Sequence, residues 1–177
     1  MIISRRVLRR VAARAALSLG TVALMAGVFP ASGQAQEIGL PIGTQAPTGE
    51  LETLDGKTVN LSQYVGKTPV LMEFWAWWCP NCKQLEPAIK AAEKKYAGKV
   101  KFIGVAVSLR QPLARAKKYA EDHSLTMEVL YDRKGLISDA YHAVATSYIV
   151  VLDAKGKVVY TGLGGDQNIE AAIRKAL

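Results

Sequence analysis

Two cysteines stand two residues apart in the segment MEFWAWWCPNC, residues 72–82, and the chain has no others. Cys79 and Cys82 are separated by Pro80 and Asn81. A pair of thiols at this spacing can exchange disulfides with another molecule, cross-link its own chain, or supply two ligands to a metal ion. The residues around the pair indicate which of these chemistries applies.

The pair is predicted to lie where a buried strand is followed by a helix. Residues 70–75 form a nearly continuous apolar run, which is typical of a strand buried on both faces. Pro80 favours the first position of a helix predicted over residues 80–96, so that Cys79 becomes the N-cap residue. Unpaired backbone N–H groups and the helix dipole then favour the thiolate of Cys79. Cys82 lies one turn further, which predicts an exposed attacking thiolate and a sheltered resolving thiol.

Two other interpretations of the pair have less support. A structural disulfide at this spacing closes a very short loop and therefore restricts the unfolded chain little. A zinc site needs four ligands, and the two histidines, His123 and His142, lack the spacing that such sites use. Redox exchange through Cys79 and Cys82, without a bound metal, is therefore the prediction.

Strands and helices alternate along the rest of the chain and predict an α/β layer fold with partly parallel pairing. Asp55-Gly56 is a strong turn dipeptide and predicts a β-hairpin over residues 49–64. Asp166 is the predicted N-cap of a last helix, IEAAIRKAL. The other strands are predicted over residues 100–107, 127–131, 147–152 and 157–161, and the other helices over residues 112–123 and 134–141.

The basic charge of the chain is concentrated at its beginning. The formal net charge is +8, with 23 Lys and Arg against 15 Asp and Glu. Residues 1–35 hold five arginines and no acidic residue, which leaves 18 basic against 15 acidic residues, a net of +3, for the remainder. Because so even a balance gives no basic stripe, it argues against nucleic-acid binding.

The first 35 residues have the pattern of a secretory signal peptide. The basic segment SRRVLRR precedes 15 apolar residues at positions 15–29, and Gly33 and Ala35 occupy the positions that a signal peptidase reads. This run is shorter than the roughly 20 residues of a membrane-spanning helix, although an uncleaved membrane anchor is the alternative. We expect a mature domain over residues 36–177, in the periplasm or another extracytoplasmic compartment where disulfides persist.

The cysteine segment and its flanks resemble a known family. EFWAWWCPNC, with Pro87 five residues after the second cysteine, resembles the active-site strand and helix of thioredoxin. The longer segment from residue 46 to residue 82 is similar to exported thiol-disulfide oxidoreductases of the TlpA/ResA type, and the resemblance extends more weakly to residue 177. It implies a thioredoxin-like α/β fold, in which helices flank a central mixed β-sheet and a β-hairpin precedes it.

The resemblance also implies roles for individual residues. Cys79 would be the nucleophile, Cys82 the resolving thiol, and Glu73 the buried acid that passes protons to and from Cys82. Burial on the strand would raise the pKa of the Glu73 carboxyl, which suits proton transfer near neutral pH. Trp78 and Pro80 would line the surface that binds the partner protein.

One position departs from the family pattern. Thioredoxin-like proteins carry a cis-proline in a loop that faces the two cysteines and docks the partner peptide. That position falls on Ser147, or on Thr146 if the register shifts by one, and no proline follows Pro112. We therefore expect a trans peptide bond or a rearranged loop, with the hydroxyls of Thr146 and Ser147 facing the disulfide. Either the loop docks partners through its backbone, or the less shielded thiolates bind Cu(I).

The resemblance implies an enzyme: an exported dithiol-disulfide oxidoreductase that reduces protein disulfides through a mixed disulfide on Cys79. No cofactor is expected beyond the redox-active disulfide. The expected partners are protein disulfides and a membrane thiol-electron donor of transporter type, and the expected state is a monomer. The alternatives are a disulfide-forming oxidant and a copper-binding or chaperone-like module of the same fold.

Overall fold

The computed structural model describes residues 38–177. The predicted signal peptide, residues 1–35, lies outside the described residues. The strands are β1 (Glu50–Thr53), β2 (Thr58–Asn60), β3 (Val70–Trp75), β4 (Lys101–Val107), β5 (Glu128–Asp132), β6 (Tyr148–Leu152) and β7 (Val158–Leu163). The helices are α1 (Pro80–Lys95), α2 (Leu113–Asp122), α3 (Leu136–Ala140) and α4 (Ile169–Arg174), with a 3-10 turn at Leu61–Gln63.

The strands form one mixed sheet in the order β2-β1-β5-β4-β3-β6-β7. β3, β4 and β5 run parallel to one another, and the remaining pairs are antiparallel. The predicted N-terminal hairpin is β1 and β2, and it pairs with β5 at one end of the sheet. The predicted fold class, a mixed sheet with flanking helices and an N-terminal hairpin, is confirmed.

Helices cover both faces of the sheet because its central strands are apolar on both sides. All six residues of β3 are buried. Leu71 and Trp75 pack on one face with α1, α2 and α4. Met72 and Phe74 pack on the other face with α3 and the chain around residues 40–61. Within residues 38–177, no helix combines the length and the apolar character needed to cross a membrane.

Two helix starts differ from the prediction. The N-cap of α4 is Asn168, whose Oδ1 accepts a hydrogen bond from Ala171 N–H at 2.9 Å, so Asp166 as the cap was wrong. The reason is a contact remote in sequence: Gln167 Nε2 donates to the carbonyls of Ser147 and Gly164, which holds this segment outside the helix. α2 begins one residue later than predicted, since Pro112 has an extended ψ of 149° and is its cap.

Both ends of the sheet are shortened or covered. The outermost strand on one side, β2, has three residues. On the other side, the segment before β1 runs along the start of β7: Gly43 N–H donates to Val158 O at 2.7 Å, and Val158 N–H donates to Thr44 O at 2.9 Å. Gln45 forms an antiparallel bridge with Lys157. The beginning of the β7 edge is thus already hydrogen-bonded within the chain.

Candidate active site

The two cysteines form a disulfide at the N-terminus of α1. The S–S distance is 2.17 Å and the Cα atoms are 5.3 Å apart. Cys79 is the N-cap residue, with extended backbone angles of −85° and 109°, and its Sγ accepts a hydrogen bond from Cys82 N–H at 3.1 Å. Pro80 is the first residue of the helix, as the sequence predicts.

This placement favours a thiolate at Cys79 once the disulfide opens. The first turn of α1 contains no acidic residue that would oppose a negative charge there. The N–H of Cys82 already points at the Cys79 sulfur and would stabilise its anion, together with the positive end of a 16-residue helix. The geometry therefore provides a stabilised thiolate as attacking and leaving group.

The predicted contrast in exposure between the two cysteines is wrong for the disulfide form. Cys79 is 2% exposed and Cys82 is 6% exposed. The side chain of an N-cap residue turns back over the first helical turn. Cys79 and Cys82 both belong to the buried core cluster, and Trp78 packs against that cluster. A partner must therefore shift some of this cover before its thiolate reaches the disulfide.

Glu73 lies beneath the disulfide on the sheet face that α1 covers. It sits between Leu71 and Trp75 along β3 and is 3% exposed. Burial, with a smaller contribution from the negative charge of Glu86, raises the pKa of Glu73 to about 8. Glu73 and Cys82 line the same small cavity. Its carboxyl is therefore neutral at pH 7 and placed on the Cys82 side of the pair, while its role in proton transfer stays a prediction.

The aromatic residues before the cysteines are tied to the loop that follows β4. Trp78 is half-buried, and its Nε1 donates to Leu109 O at 3.1 Å. Trp77 N–H donates to Gln111 Oε1 at 2.6 Å, and Arg115 lies 4.9 Å from the centroid of the Trp77 ring. Pro80 is exposed beside them. Partner binding by Trp78 and Pro80 stays a prediction.

Gln111 is a site residue that the sequence did not reveal. Its side chain is fully buried, where it accepts from Trp77 N–H and donates to the carbonyls of Val107 at 2.9 Å and Trp75 at 3.4 Å. Its own carbonyl accepts from Tyr131 Oη at 2.8 Å. Gln111 therefore fixes the end of β3 and the turn that leads to Cys79.

We expect Gln111→Ala to lower the free energy of unfolding by about 2–3 kcal/mol, because it removes the hydrogen bonds of a buried backbone group at Trp75 and of part-buried groups at Trp77 and Val107. Urea unfolding of the oxidised protein measures the loss. Gln63→Ala, at an exposed glutamine, is the matched control and is expected to change stability by less than about 0.5 kcal/mol. Equal stability of the two variants would contradict the anchoring role.

The position of the family's cis-proline has a different local structure. No cis peptide bond occurs within residues 38–177, so the expected trans bond at Ser147 is confirmed. Ser147 has a left-handed φ of +64°, and its N–H donates to Phe74 O at 2.8 Å, which extends the ladder between β3 and β6. Its hydroxyl donates to Thr146 O, and the residue is 1% exposed, while its placement facing the disulfide stays a prediction. Thr146 is half-exposed, and its contact with a partner stays a prediction.

We expect Ser147→Pro to destabilise the protein by about 3 kcal/mol or more, because proline cannot adopt this φ and has no N–H for Phe74 O. Ser147→Gly is the control: relief of the left-handed strain should leave it as stable as the parent, or more stable by up to about 1 kcal/mol. Urea unfolding distinguishes the two. A proline variant of parental stability would show that this loop readily adopts the family's geometry.

A polar cluster joins α1 to α2 next to the cavity and consists of Glu86, Lys90, Tyr119 and His123. Glu86 Oε2 lies 2.9 Å from His123 Nδ1, and Glu86 Oε1 lies 2.8 Å from Lys90 Nζ. Tyr119 Oη donates to Glu86 Oε2 at 3.4 Å, and its ring stacks on His123 with centroids 3.8 Å apart. Burial alone would raise the pKa of Glu86, but the hydrogen bonds to Lys90 and His123 hold it below its usual value. Nothing in the sequence signals this pairing, since the partners lie 37 residues apart.

Known proteins are similar to this chain in sequence. The profile of the Redoxin family matches residues 41–177. The chain is 35% identical to the thioredoxin-like protein YneN of Bacillus subtilis over 124 residues, covering 70% of this chain and 72% of YneN. It is 27% identical to the thiol-disulfide oxidoreductase ResA of Geobacillus thermodenitrificans over 137 residues, covering 76% of this chain and 78% of ResA.

A solved structure has the same fold. The thioredoxin domain of a thiol-disulfide oxidoreductase from Bacteroides vulgatus superimposes with a TM-score of 0.67, covering 78% of this chain and 99% of that chain, at 23% sequence identity. At this identity the match concerns the fold alone. It agrees with the mixed sheet and flanking helices described above.

Proposed function

The chain belongs to the redoxin family and is a thiol-disulfide oxidoreductase, and from that premise we propose that it is an exported reductant of protein disulfides. The observation that carries the proposal is the Cys79–Cys82 disulfide at the start of α1, with the Cys82 N–H directed at the Cys79 sulfur. This disulfide is itself the redox group, so the exchange needs no bound cofactor.

The reaction with a partner begins from the dithiol form. The Cys79 thiolate attacks one sulfur of the partner's disulfide, a Cys79–partner bond forms, and the second partner sulfur leaves as a thiolate with the electron pair. Cys82 then loses its proton to the carboxylate form of Glu73, which is the minor form at pH 7, and attacks Cys79 Sγ. The Cys79–partner bond breaks and the partner sulfur that was bound to Cys79 leaves as a thiolate, so the partner has gained two electrons and the Cys79–Cys82 disulfide is restored.

Regeneration runs through the same atoms in the opposite direction. A thiolate of the membrane electron donor attacks Cys79 Sγ, and Cys82 leaves as a thiolate. Glu73, which is neutral at pH 7 because its pKa is raised to about 8, supplies the proton to that thiolate. A second donor thiol then releases Cys79, and the donor becomes a disulfide.

The proposed partner surface surrounds the start of α1. Trp78 and Pro80 lie beside the disulfide, and Leu109, whose carbonyl holds Trp78, is 66% exposed. Val144, two residues before Thr146, is 74% exposed. Tryptophan is enriched among the residues that carry most of the binding energy at protein interfaces, which favours Trp78 as the main contact. We place the partner's disulfide-bearing segment over these residues, with the enzyme acting as a monomer.

The reduction potential of the Cys79–Cys82 pair tests the direction of electron flow. Equilibration in dithiothreitol or glutathione buffers, followed by trapping of free thiols, measures it. A value near the roughly −270 mV of thioredoxin would support a reductant. A value near the roughly −120 mV of DsbA would overturn that direction and indicate a protein that forms disulfides, while leaving the site unchanged.

Export is tested separately, by the N-terminal sequence of the protein recovered from its own cells. Cleavage after Ala35 would leave Gln36 as the first residue and would support a soluble exported enzyme. An intact N-terminus in the membrane fraction would indicate a tethered form. Recovery of the intact chain from the cytoplasm would contradict export.

A further inference from the structure

A small cavity lies between the sheet and helices α1 and α2, directly beneath the active site. Its volume is about 20 Å³, which exceeds the roughly 10–15 Å³ that one water molecule requires. Glu73, Trp75 and Cys82 line it from the sheet and the start of α1, and Glu86 and Tyr119 line it on the outer side. The cavity therefore separates the buried acid of the active site from the polar cluster near the surface.

Two buried polar atoms on this wall have no hydrogen-bond partner. Among the described residues, Glu73 Oε1 and Trp75 Nε1 are the buried side-chain nitrogen and oxygen atoms left unsatisfied. Buried polar groups of this kind are costly unless a water molecule or a protein group satisfies them. The indole N–H donates and the carboxyl oxygen accepts, so a water molecule within hydrogen-bonding distance of both atoms would satisfy both. A site that is polar, large enough and lined by unpaired groups meets the conditions for a buried water.

The outer wall of the cavity leads to solvent. The Glu86 side chain is 18% exposed and the His123 side chain is 34% exposed, and the two are hydrogen-bonded at 2.9 Å. Imidazole exchanges protons with water near neutral pH more readily than other side chains do. A water molecule in the cavity would thus join Glu73, through Glu86, to a half-exposed imidazole.

The other ionisable groups around the cavity do not offer an equivalent route. Lys90 is engaged by Glu86 Oε1 at 2.8 Å and by His123 O at 2.6 Å. Burial raises the pKa of Tyr119 far above neutral pH, so its phenol stays protonated. Glu93, at the rim, has its pKa raised by burial and accepts from Thr126 at 2.7 Å. Glu86 and His123, in contrast, place an ionised carboxylate next to an imidazole.

We propose that a water molecule in this cavity connects Glu73 to the Glu86–His123 pair, and that protons reach and leave the buried acid along this route. When the Cys79–Cys82 bond is opened, Glu73 gives its proton to the leaving Cys82 thiolate. The water then protonates the Glu73 carboxylate and is itself reprotonated through Glu86 and His123 from solvent. This inference rests on the proposed function, because it supplies the proton for that same site; Glu86 and His123 are positioning residues rather than catalytic ones.

The kinetic test follows the opening of the Cys79–Cys82 disulfide by dithiothreitol in the oxidised protein, with tryptophan fluorescence as the signal and pH as the variable. His123→Gln keeps a hydrogen-bond donor for Glu86 but cannot exchange protons, and Glu86→Gln keeps the shape of the side chain. We expect each to slow opening about tenfold at pH 7, a fraction of the roughly 100-fold or greater contribution of a general acid. The reduction potential should not change in His123→Gln, since a relay alters the rate alone, whereas Glu86→Gln also removes a charge that helps to raise the pKa of Glu73.

The same substitutions are then tested in the variant Glu73→Gln, which lacks the buried acid. If the route serves Glu73, then adding His123→Gln or Glu86→Gln to Glu73→Gln should cause no further slowing, because the residues act in series. Further slowing in the double variants, or parental rates in both single variants, would overturn the proposal. His142→Gln, at the other histidine, which is exposed, is the matched control and should open at the parental rate.

The water itself is tested by a high-resolution crystal structure of the oxidised protein. Density for one water molecule within hydrogen-bonding distance of Glu73 Oε1 and Trp75 Nε1 would support the route, and a dry cavity would overturn it. Failure of the proposed function has a different signature: the parent protein would then not reduce protein disulfides at all, whatever the rate at which dithiothreitol opens its own disulfide.

Discussion

Cys79→Ser is expected to lower the catalysed reduction of insulin disulfides by at least about 1,000-fold, because the variant has no nucleophile at the helix N-terminus. Cys82→Ser should also abolish multiple turnover, but for another reason. It keeps the attacking thiolate and lacks the thiol that resolves the mixed disulfide, so partners remain covalently attached to Cys79. Non-reducing gels of cell extracts, with mass spectrometry of the adducts, measure this trapping.

The pair of variants also separates the alternatives that share this fold. A copper-binding or chaperone-like protein would trap nothing as Cys82→Ser, and its loss would appear in metal or client affinity. Cys79 and Cys82 are nearly equally buried in the disulfide form. The two variants therefore also test which cysteine attacks the partner and which resolves the mixed disulfide. Trapping by Cys79→Ser instead of Cys82→Ser would reverse the two roles.

Loss of folding should not account for these defects. The disulfide spans a sequence separation of three residues, and the chain-entropy relation gives a loop this short a stabilisation of only about 2 kcal/mol. Both variants are therefore expected to lose a similar, modest part of their unfolding free energy relative to the oxidised parent. Urea unfolding of both provides the control for the activity measurements.

Glu73→Gln is expected to be more stable than the parent at alkaline pH, by up to about 5 kcal/mol at pH 9. In the folded protein the pKa of Glu73 is raised from 4.5 to about 8, mainly by burial. Between these values the folded state holds a proton that the unfolded chain has lost, so the stability present below pH 4.5 declines as pH rises to about 8. Glutamine has no such proton and escapes this loss.

Urea unfolding at pH 5, 7 and 9 measures the effect in the oxidised protein. The difference between Glu73→Gln and the parent should be small at pH 5 and grow towards pH 9. Glu121→Gln, at an exposed glutamate of α2, is the matched control, and its difference from the parent should stay nearly constant. Parallel curves for Glu73→Gln and the parent would contradict the raised pKa.

The parts of the site that the sequence predicted depend on local signals. The apolar run of β3, Pro80 at the first helical position and the two cysteines lie within a dozen residues of one another. Each restricts the backbone through its own chemistry, so Cys79 at the helix cap follows from neighbours in the chain. The burial of Glu73 follows in the same way, because β3 is apolar on both faces.

The parts that were missed depend on contacts between distant segments. Gln111 is buried because its amide bridges the end of β4 and the turn after β3, and nothing in its own neighbourhood marks a glutamine for burial. His123 finds Glu86 across the contact between two helices. Asp166 and Asn168 are both good capping residues, and the choice between them rests on Gln167, which binds Ser147. Local propensity cannot resolve such choices.

The covered ends of the sheet bear on how the protein behaves in concentrated solution. An open strand edge offers unpaired N–H and C=O groups to other chains and promotes aggregation. Here β2 has only three residues, and the segment around Thr44 is hydrogen-bonded to the start of β7. A protein that exchanges disulfides with other proteins, as proposed above, benefits from offering them little backbone outside its active-site surface. Release of the Gly43–Gln45 segment from β7 would expose such a template and make the enzyme prone to aggregate with its own clients.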